Sequence, residues 1–160
     1  MRMKTAFRYW LFKSEPEEFS IDHLAALPRQ TAPWTGVRNY MARNLLRDHV
    51  HKGDKVFFYH SSTKIKGVAG ICVVAVNAYP DPTAFNKKDP YYDPKSTRDN
   101  PTWVAVDVTL VRKFPRVVTL DVMKSTPGLE KMMVCQRGAR LSIQPVTHEE
   151  WSIVEALADK

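Results

Sequence analysis

The chain has 160 residues, 44% of them apolar and 26% charged, and its 24 basic and 17 acidic side chains give a net charge of +7. This length suits one domain, and this composition excludes wholesale disorder. No apolar run approaches the roughly 20 residues of a membrane span, and the basic N-terminus does not continue as a secretory signal. We expect a flexible tail over residues 1–7, a single domain over residues 8–160 and no membrane partner.

The basic excess is concentrated in one part of the chain. The stretch from Arg29 to Lys66 holds eight basic residues against two acidic ones, Asp48 and Asp54. A localised basic surface attracts polyanions, nucleic acid first, although it could also be a solvated face that aids solubility. The two cysteines, Cys72 and Cys135, form no disulfide framework, which suits a reducing compartment. We therefore expect a cytoplasmic protein in a bacterium or a nuclear one in a eukaryote.

Short strands and short helices alternate along the chain. In chain order, the pattern predicts a strand over residues 8–13, a helix over 19–27, a loop over 31–38, a helix over 39–49, strands over 54–61 and 67–79, a proline-rich excursion over 80–101, a strand over 102–113, a helix over 119–125, a strand over 140–144 and a helix over 147–158. Ser20 and Thr147 are the expected N-caps of the first and last helices. Five strands with four helices predict an α+β domain, and strands apolar on both faces favour a closed barrel covered by helices.

Catalytic signals are weak. We find no phosphate-binding loop, no dinucleotide-binding motif, no hydrolase nucleophile elbow and no zinc-protease motif. His49 and His51 are two residues apart, which is the wrong spacing for one helix face, so we expect no metal and no cofactor. Glu15, His60 and Asp107 are the residues that a hydrolase or nuclease would use, but no spacing links them.

A possible binding motif begins at Trp34, in a loop broken by proline and glycine and followed by Arg38 and Asn39. A tryptophan there is either a core plug or a platform on which a planar base stacks. Arginine bonds phosphates or base edges, and asparagine offers a donor and an acceptor together. Arg43 and Arg47 continue the stripe of Asn39 at helical spacing, so we expect them to contact the nucleic-acid backbone.

Three segments, YWLFKSEP (residues 9–16), WTGVRNYMARN (34–44) and GDKVFFYHS (53–61), resemble the EVE domain family. The resemblance extends over roughly residues 8–158. Met41 departs from the family pattern, which has glutamine there.

The resemblance implies a PUA-like fold, a small mixed β-barrel surrounded by short helices, related to YTH domains that hold methylated adenine in an aromatic pocket. It implies a non-enzymatic module that takes a modified base, most often a modified cytosine, out of the DNA stack, and bacterial partners of restriction type. Carried onto this chain, it implies that the base-binding residues are Lys13, Ser14, Trp34, Arg38, Asn39, Tyr59, His60 and Ser61.

Several of the residues assigned to base binding also have a purely structural interpretation. Ser14 could cap a turn, His60 could be a satisfied core histidine, and Arg38 could pair with Glu15 or Glu17. At the level of function, an RNA-binding PUA-like module, the hydrolase named above, and an interaction module that docks through residues 80–101 remain open.

Overall fold

Six strands and four α-helices make up residues 8–160, the part of the chain that the computed structural model describes. The tail predicted over residues 1–7 lies outside the described residues. The strands are β1 (Tyr9–Ser14), β2 (Thr31–Trp34), β3 (Lys55–His60), β4 (Gly67–Pro80), β5 (Val104–Thr119) and β6 (Ile143–Val146). The α-helices are α1 (Ile21–Ala25), α2 (Tyr40–Asp48), α3 (Leu120–Lys124) and α4 (His148–Ala158).

The strands form one mixed sheet in the order β2-β5-β4-β3-β1-β6. Only β1 and β3 are parallel, so the C-terminal ends of these two strands lie side by side. The α+β prediction is confirmed, but the predicted barrel is an open sheet, because β2 and β6 each pair on one side only. Each of these edge strands has just four residues.

Strands that are apolar on both faces, which favoured a closed barrel, have a different cause here. Successive residues of a strand face opposite sides of the sheet. In β1, Trp10 and Phe12 enter one core cluster with Leu46 of α2, whereas Leu11 enters a second cluster with Trp151 of α4. Both faces of the sheet are therefore covered by helices without closure.

The segment predicted as loop over residues 31–38 contains strand β2, so that prediction is wrong in its first half. Trp34 pairs with Val106 of β5, and Pro33 is tolerated because β2 is an edge strand whose free side needs no donor. The proline and glycine residues indicated a loop, whereas the segment forms a strand because it pairs with β5, which is distant in the sequence.

The N-caps predicted for the first and last helices are confirmed. Ser20 and His23 form a capping box at α1, and Thr147 and Glu150 form one at α4, as predicted for the caps. Within residues 8–160, no helix is long and apolar enough to cross a membrane.

Candidate functional site

A cavity of about 610 Å³ opens where β1 and β2 end. Its volume lies within the roughly 300–1,000 Å³ that small-ligand sites occupy. Five separate parts of the chain line it, and they are residues 13–15 with 18–19, residues 33–37, residues 61–62, residue 91, and residues 139–140 with 142. The parallel pairing of β1 and β3 explains why residues 14 and 61 meet, since the Ser61 N–H donates to the Ser14 carbonyl at 2.9 Å.

Trp34 lines this cavity and packs among three phenylalanine rings. Its ring centroid lies 5.3 Å from that of Phe12, 5.2 Å from that of Phe58 and 6.2 Å from that of Phe19. Only 6% of Trp34 is exposed. Trp34 is therefore a core residue, as one of the two interpretations predicted, and because it also lines the cavity the stacking platform stays a prediction.

Lys13 and Ser14 bring polar groups to the end of β1. Lys13 Nζ donates to the Ala139 carbonyl at 3.1 Å and lies 5.9 Å from the centre of the Tyr59 ring. Partial burial lowers the pKa of Lys13. Ser14 Oγ donates to the Phe19 carbonyl at 2.6 Å, so its hydroxyl keeps an acceptor position for a ligand.

Tyr91 is a wall that the sequence analysis did not identify. Gly36 has φ +83°, and a Cβ at this position would lie 2.8 Å from Cε2 of the Tyr91 ring. Glycine thus serves both the left-handed backbone and the close approach of the aromatic ring. The only sequence signal for Tyr91 was its place in a long, proline-rich excursion.

Two carboxylates line the cavity, although the chain as a whole is basic. The Tyr91 hydroxyl donates to Glu18 Oε2 at 3.0 Å, and burial together with this hydrogen bond raises the pKa of Tyr91. Glu15, three residues before Glu18, also lines the cavity. Arg140 lies on the lining as well. The lining of the cavity thus combines aromatic rings, carboxylate acceptors and cationic groups.

Arg38 does not line the cavity, but it bonds residues that hold the cavity wall in place. Its guanidinium donates to Asp81 Oδ2 at 3.0 Å and to the Tyr91 carbonyl at 3.1 Å from Nε and 2.7 Å from Nη2. Asp81 is fully buried and also accepts from the Gly36 N–H at 2.9 Å. The expectation that Arg38 pairs structurally is confirmed with a different partner, an aspartate from the excursion instead of Glu15 or Glu17.

Three other predicted residues, Asn39, Tyr59 and His60, do not line the cavity. Asn39 Oδ1 accepts from the Ala42 N–H at 3.0 Å, because Asn39 is the N-cap of α2. Tyr59 is buried in the second core cluster, where burial raises its pKa to about 12. His60 Nε2 accepts from the Ile21 N–H at 3.2 Å, and burial lowers the pKa of His60.

Arg43 and Arg47 lie on α2, but protein groups already engage both. Arg43 donates to the Thr102 carbonyl at 2.8 Å. Arg47 pairs with the adjacent Asp48 at 2.8 Å. Their predicted contact with a nucleic-acid backbone competes with these partners.

The residues of the hydrolase alternative do not share one site. Glu15 lines the cavity, but His60 accepts from the Ile21 N–H of α1 and Asp107 accepts from the Tyr79 hydroxyl at 2.5 Å. Across residues 8–160, no group of three histidine, cysteine or acidic side chains could hold a metal ion. The excursion that the docking alternative invokes is packed inward at Asp81 and Ala84, which are fully buried, whereas residues 86–88 and 97–100 are exposed.

The fold is an open mixed sheet with a cavity beside its parallel strand pair. The family model of the EVE domain matches residues 8–157. This chain belongs to the EVE domain family, as its sequence motifs indicated.

Relatives cover nearly the whole chain. Human thymocyte nuclear protein 1 is 45% identical over 99% of this chain and 77% of its own length. A crystal structure from Pseudomonas putida matches with a TM-score of 0.89 and 50% identity, over 94% of this chain and 99% of that one. Human THYN1 protein in complex with 5-methylcytosine-containing DNA matches with a TM-score of 0.88 and 45% identity, over 95% of this chain and 98% of that one.

Proposed function

We propose that this chain is a non-enzymatic module that binds a modified cytosine of DNA, taken out of the base stack into the cavity beside Trp34. The observation that carries the proposal is a cavity lined by aromatic side chains and large enough for a nucleobase, in a fold shared with human THYN1 protein, which was solved with 5-methylcytosine DNA. Extrusion of a base costs a few kcal/mol of stacking and pairing, and contacts in the cavity must offset this cost.

Aromatic contact is the first such contribution. A base stacked on an aromatic side chain gains roughly 1–3 kcal/mol. The partly buried ring of Tyr91 faces Gly36, which has no side chain, and the exposed part of Trp34 lies on the same lining. We expect a planar base in the cavity to contact the ring surface that residues 34 and 91 expose on this lining.

Hydrogen-bond acceptors at Glu15 and Glu18 support cytosine in particular. Cytosine presents an exocyclic amino group, for which a carboxylate is the matching acceptor, whereas thymine presents a carbonyl there. Acidic groups would repel phosphate, so their place in this basic chain favours contact with a base edge over contact with the backbone. The Tyr91 hydroxyl holds the Glu18 carboxylate in position.

The test is titration of the full chain, followed by fluorescence anisotropy, into labelled oligonucleotides of one sequence. The set carries unmodified, 5-methylated, 5-hydroxymethylated or 5-carboxylated cytosine, in single-stranded and duplex DNA and in matched RNA. We expect a preference of about tenfold or more, equivalent to about 1.4 kcal/mol, for one modified cytosine in DNA. Equal and salt-sensitive binding to every oligonucleotide would reduce the chain to a general polyanion binder, and a preference for RNA would support the RNA-binding alternative.

A further inference from the structure

The loop over residues 61–66, which joins β3 to β4, starts on the cavity and ends beyond it. Ser61 and Ser62 line the cavity. The Ser61 N–H donates to β1, and the Lys66 carbonyl accepts from the Leu120 N–H at 2.9 Å. Both ends of the 61–66 loop are therefore fixed to the body of the domain, and the exposed residues 64–66 follow directly after the part of the loop that lines the cavity.

Ile65 lies on this loop with 60% of its surface exposed. Single exposed apolar residues are common and carry no meaning alone. This one stands between Lys64 and Lys66, both exposed, and among residues 8–160 neither lysine side chain makes a hydrogen bond or an ion pair. In contrast, Arg43 and Arg47 of α2 are engaged by Thr102 and Asp48.

We infer that the 61–66 loop is a duplex-DNA contact in which Ile65 fills the gap left by the base in the cavity, while Lys64 and Lys66 contact phosphates beside it. The inference rests on the proposed function, since a gap exists only when a base has left the stack. Extrusion leaves the opposite base unpaired and the neighbouring pairs unstacked, and inserted apolar side chains compensate for such losses. Free lysines on both sides supply the phosphate contacts that set the position of an inserted residue.

This arrangement predicts that Ile65 matters for a duplex and not for a single strand, in which there is no gap to fill. The first experiment compares Ile65→Ser with the unchanged full chain on one oligonucleotide carrying 5-methylcytosine, used both single-stranded and paired. We expect binding of the duplex to weaken by about tenfold and binding of the single strand to change by less than about twofold. Val111→Ser is the matched control, because Val111 is 61% exposed on β5 and does not line the cavity.

The lysines are tested by salt dependence. Each phosphate contact contributes about 0.9 to the slope of log K against log salt concentration for duplex DNA, so Lys64→Gln with Lys66→Gln should lower the slope by about two. Lys52→Gln with Lys55→Gln is the control, because it removes the same charge at a different place. Lys55 is the first residue of β3, whereas the 61–66 loop follows the last residue of β3.

The outcomes separate this inference from the proposed function. Equal weakening on duplex and single strand by Ile65→Ser, or no weakening on either, overturns the insertion of Ile65. A salt slope that falls equally in both lysine pairs overturns the phosphate contacts. If the unchanged chain shows no preference for 5-methylcytosine in either form, the proposed function fails and this inference fails with it.

Discussion

Arg38 holds Tyr91 by its backbone, through hydrogen bonds of 3.1 and 2.7 Å from the guanidinium to the Tyr91 carbonyl. The same guanidinium bonds the buried carboxylate of Asp81 at 3.0 Å. An aromatic wall of the cavity thus depends on a residue that does not line the cavity. This relationship explains an arginine in the WTGVRN segment without any contact to a ligand.

Replacement of Arg38 by lysine tests this dependence. A lysine keeps the charge but cannot bond Asp81 and Tyr91 together, because it lacks the planar fork of donors. We expect Arg38→Lys to lower the free energy of unfolding by about 2 kcal/mol and to weaken binding of the modified base several-fold. Urea denaturation and anisotropy titration measure the two effects.

Arg47→Lys is the control for that experiment, since Arg47 pairs with Asp48 at the surface, where ion pairs contribute little. We expect it to leave stability unchanged. If Arg38→Lys behaves like Arg47→Lys in both assays, Arg38 does not position Tyr91.

Local signals predicted most of the helices and strands, but not the long-range partners of the site. The capping boxes at Ser20 and Thr147 involve residues three apart, so they can be recognised from the sequence. The contact of Arg38 with Tyr91 spans 53 positions and depends on how an irregular segment packs. For the same reason, the family resemblance located Lys13, Ser14, Trp34 and Ser61 on the cavity lining but did not reveal Glu18 or Tyr91.

The role of Trp34 is best tested with a substitution that removes less buried volume than alanine does. Truncation of a buried tryptophan to alanine costs about 3–5 kcal/mol, and Trp34 packs against three phenylalanines in the core. We therefore expect Trp34→Ala to impair folding, and Trp34→Phe to retain the fold while reducing base discrimination. Circular dichroism checks the fold, and titration with modified and unmodified oligonucleotides checks the discrimination.

Phe58→Leu is the control for loss of packing alone, because Phe58 packs against Trp34 at 5.2 Å without lining the cavity. Discrimination that falls as much in Phe58→Leu as in Trp34→Phe would argue against direct contact between the base and Trp34.

His60 should give the fold a dependence on acidity. Its Nε2 accepts from the Ile21 N–H, and burial lowers the pKa of His60, with Asp22 opposing the shift and Lys113 adding to it. The folded state therefore binds fewer protons than the unfolded state in acid. This contribution to stability is complete above the unfolded pKa of about 6.5 and is lost progressively as the pH falls from there to the folded-state pKa.

We expect His60→Gln, whose amide oxygen can still accept from Ile21, to lose less stability than the unchanged chain between about pH 7.5 and pH 5. Urea denaturation at a series of pH values provides the comparison. Parallel pH dependences in the two proteins would show that His60 does not titrate with folding.

Glu18 offers the sharpest test of how the cavity distinguishes cytosine. Thymine carries the same 5-methyl group as 5-methylcytosine but presents a carbonyl in place of the amino group, so a comparison of the two isolates this edge. We expect the unchanged chain to prefer 5-methylcytosine in a single strand by about tenfold, and Glu18→Gln, whose amide can donate to the carbonyl, to narrow the preference to about threefold or less. Glu17→Gln is the matched control, because Glu17 is exposed and does not line the cavity. A ratio that Glu18→Gln leaves unchanged, or that both variants change alike, would place the amino group of cytosine away from Glu18.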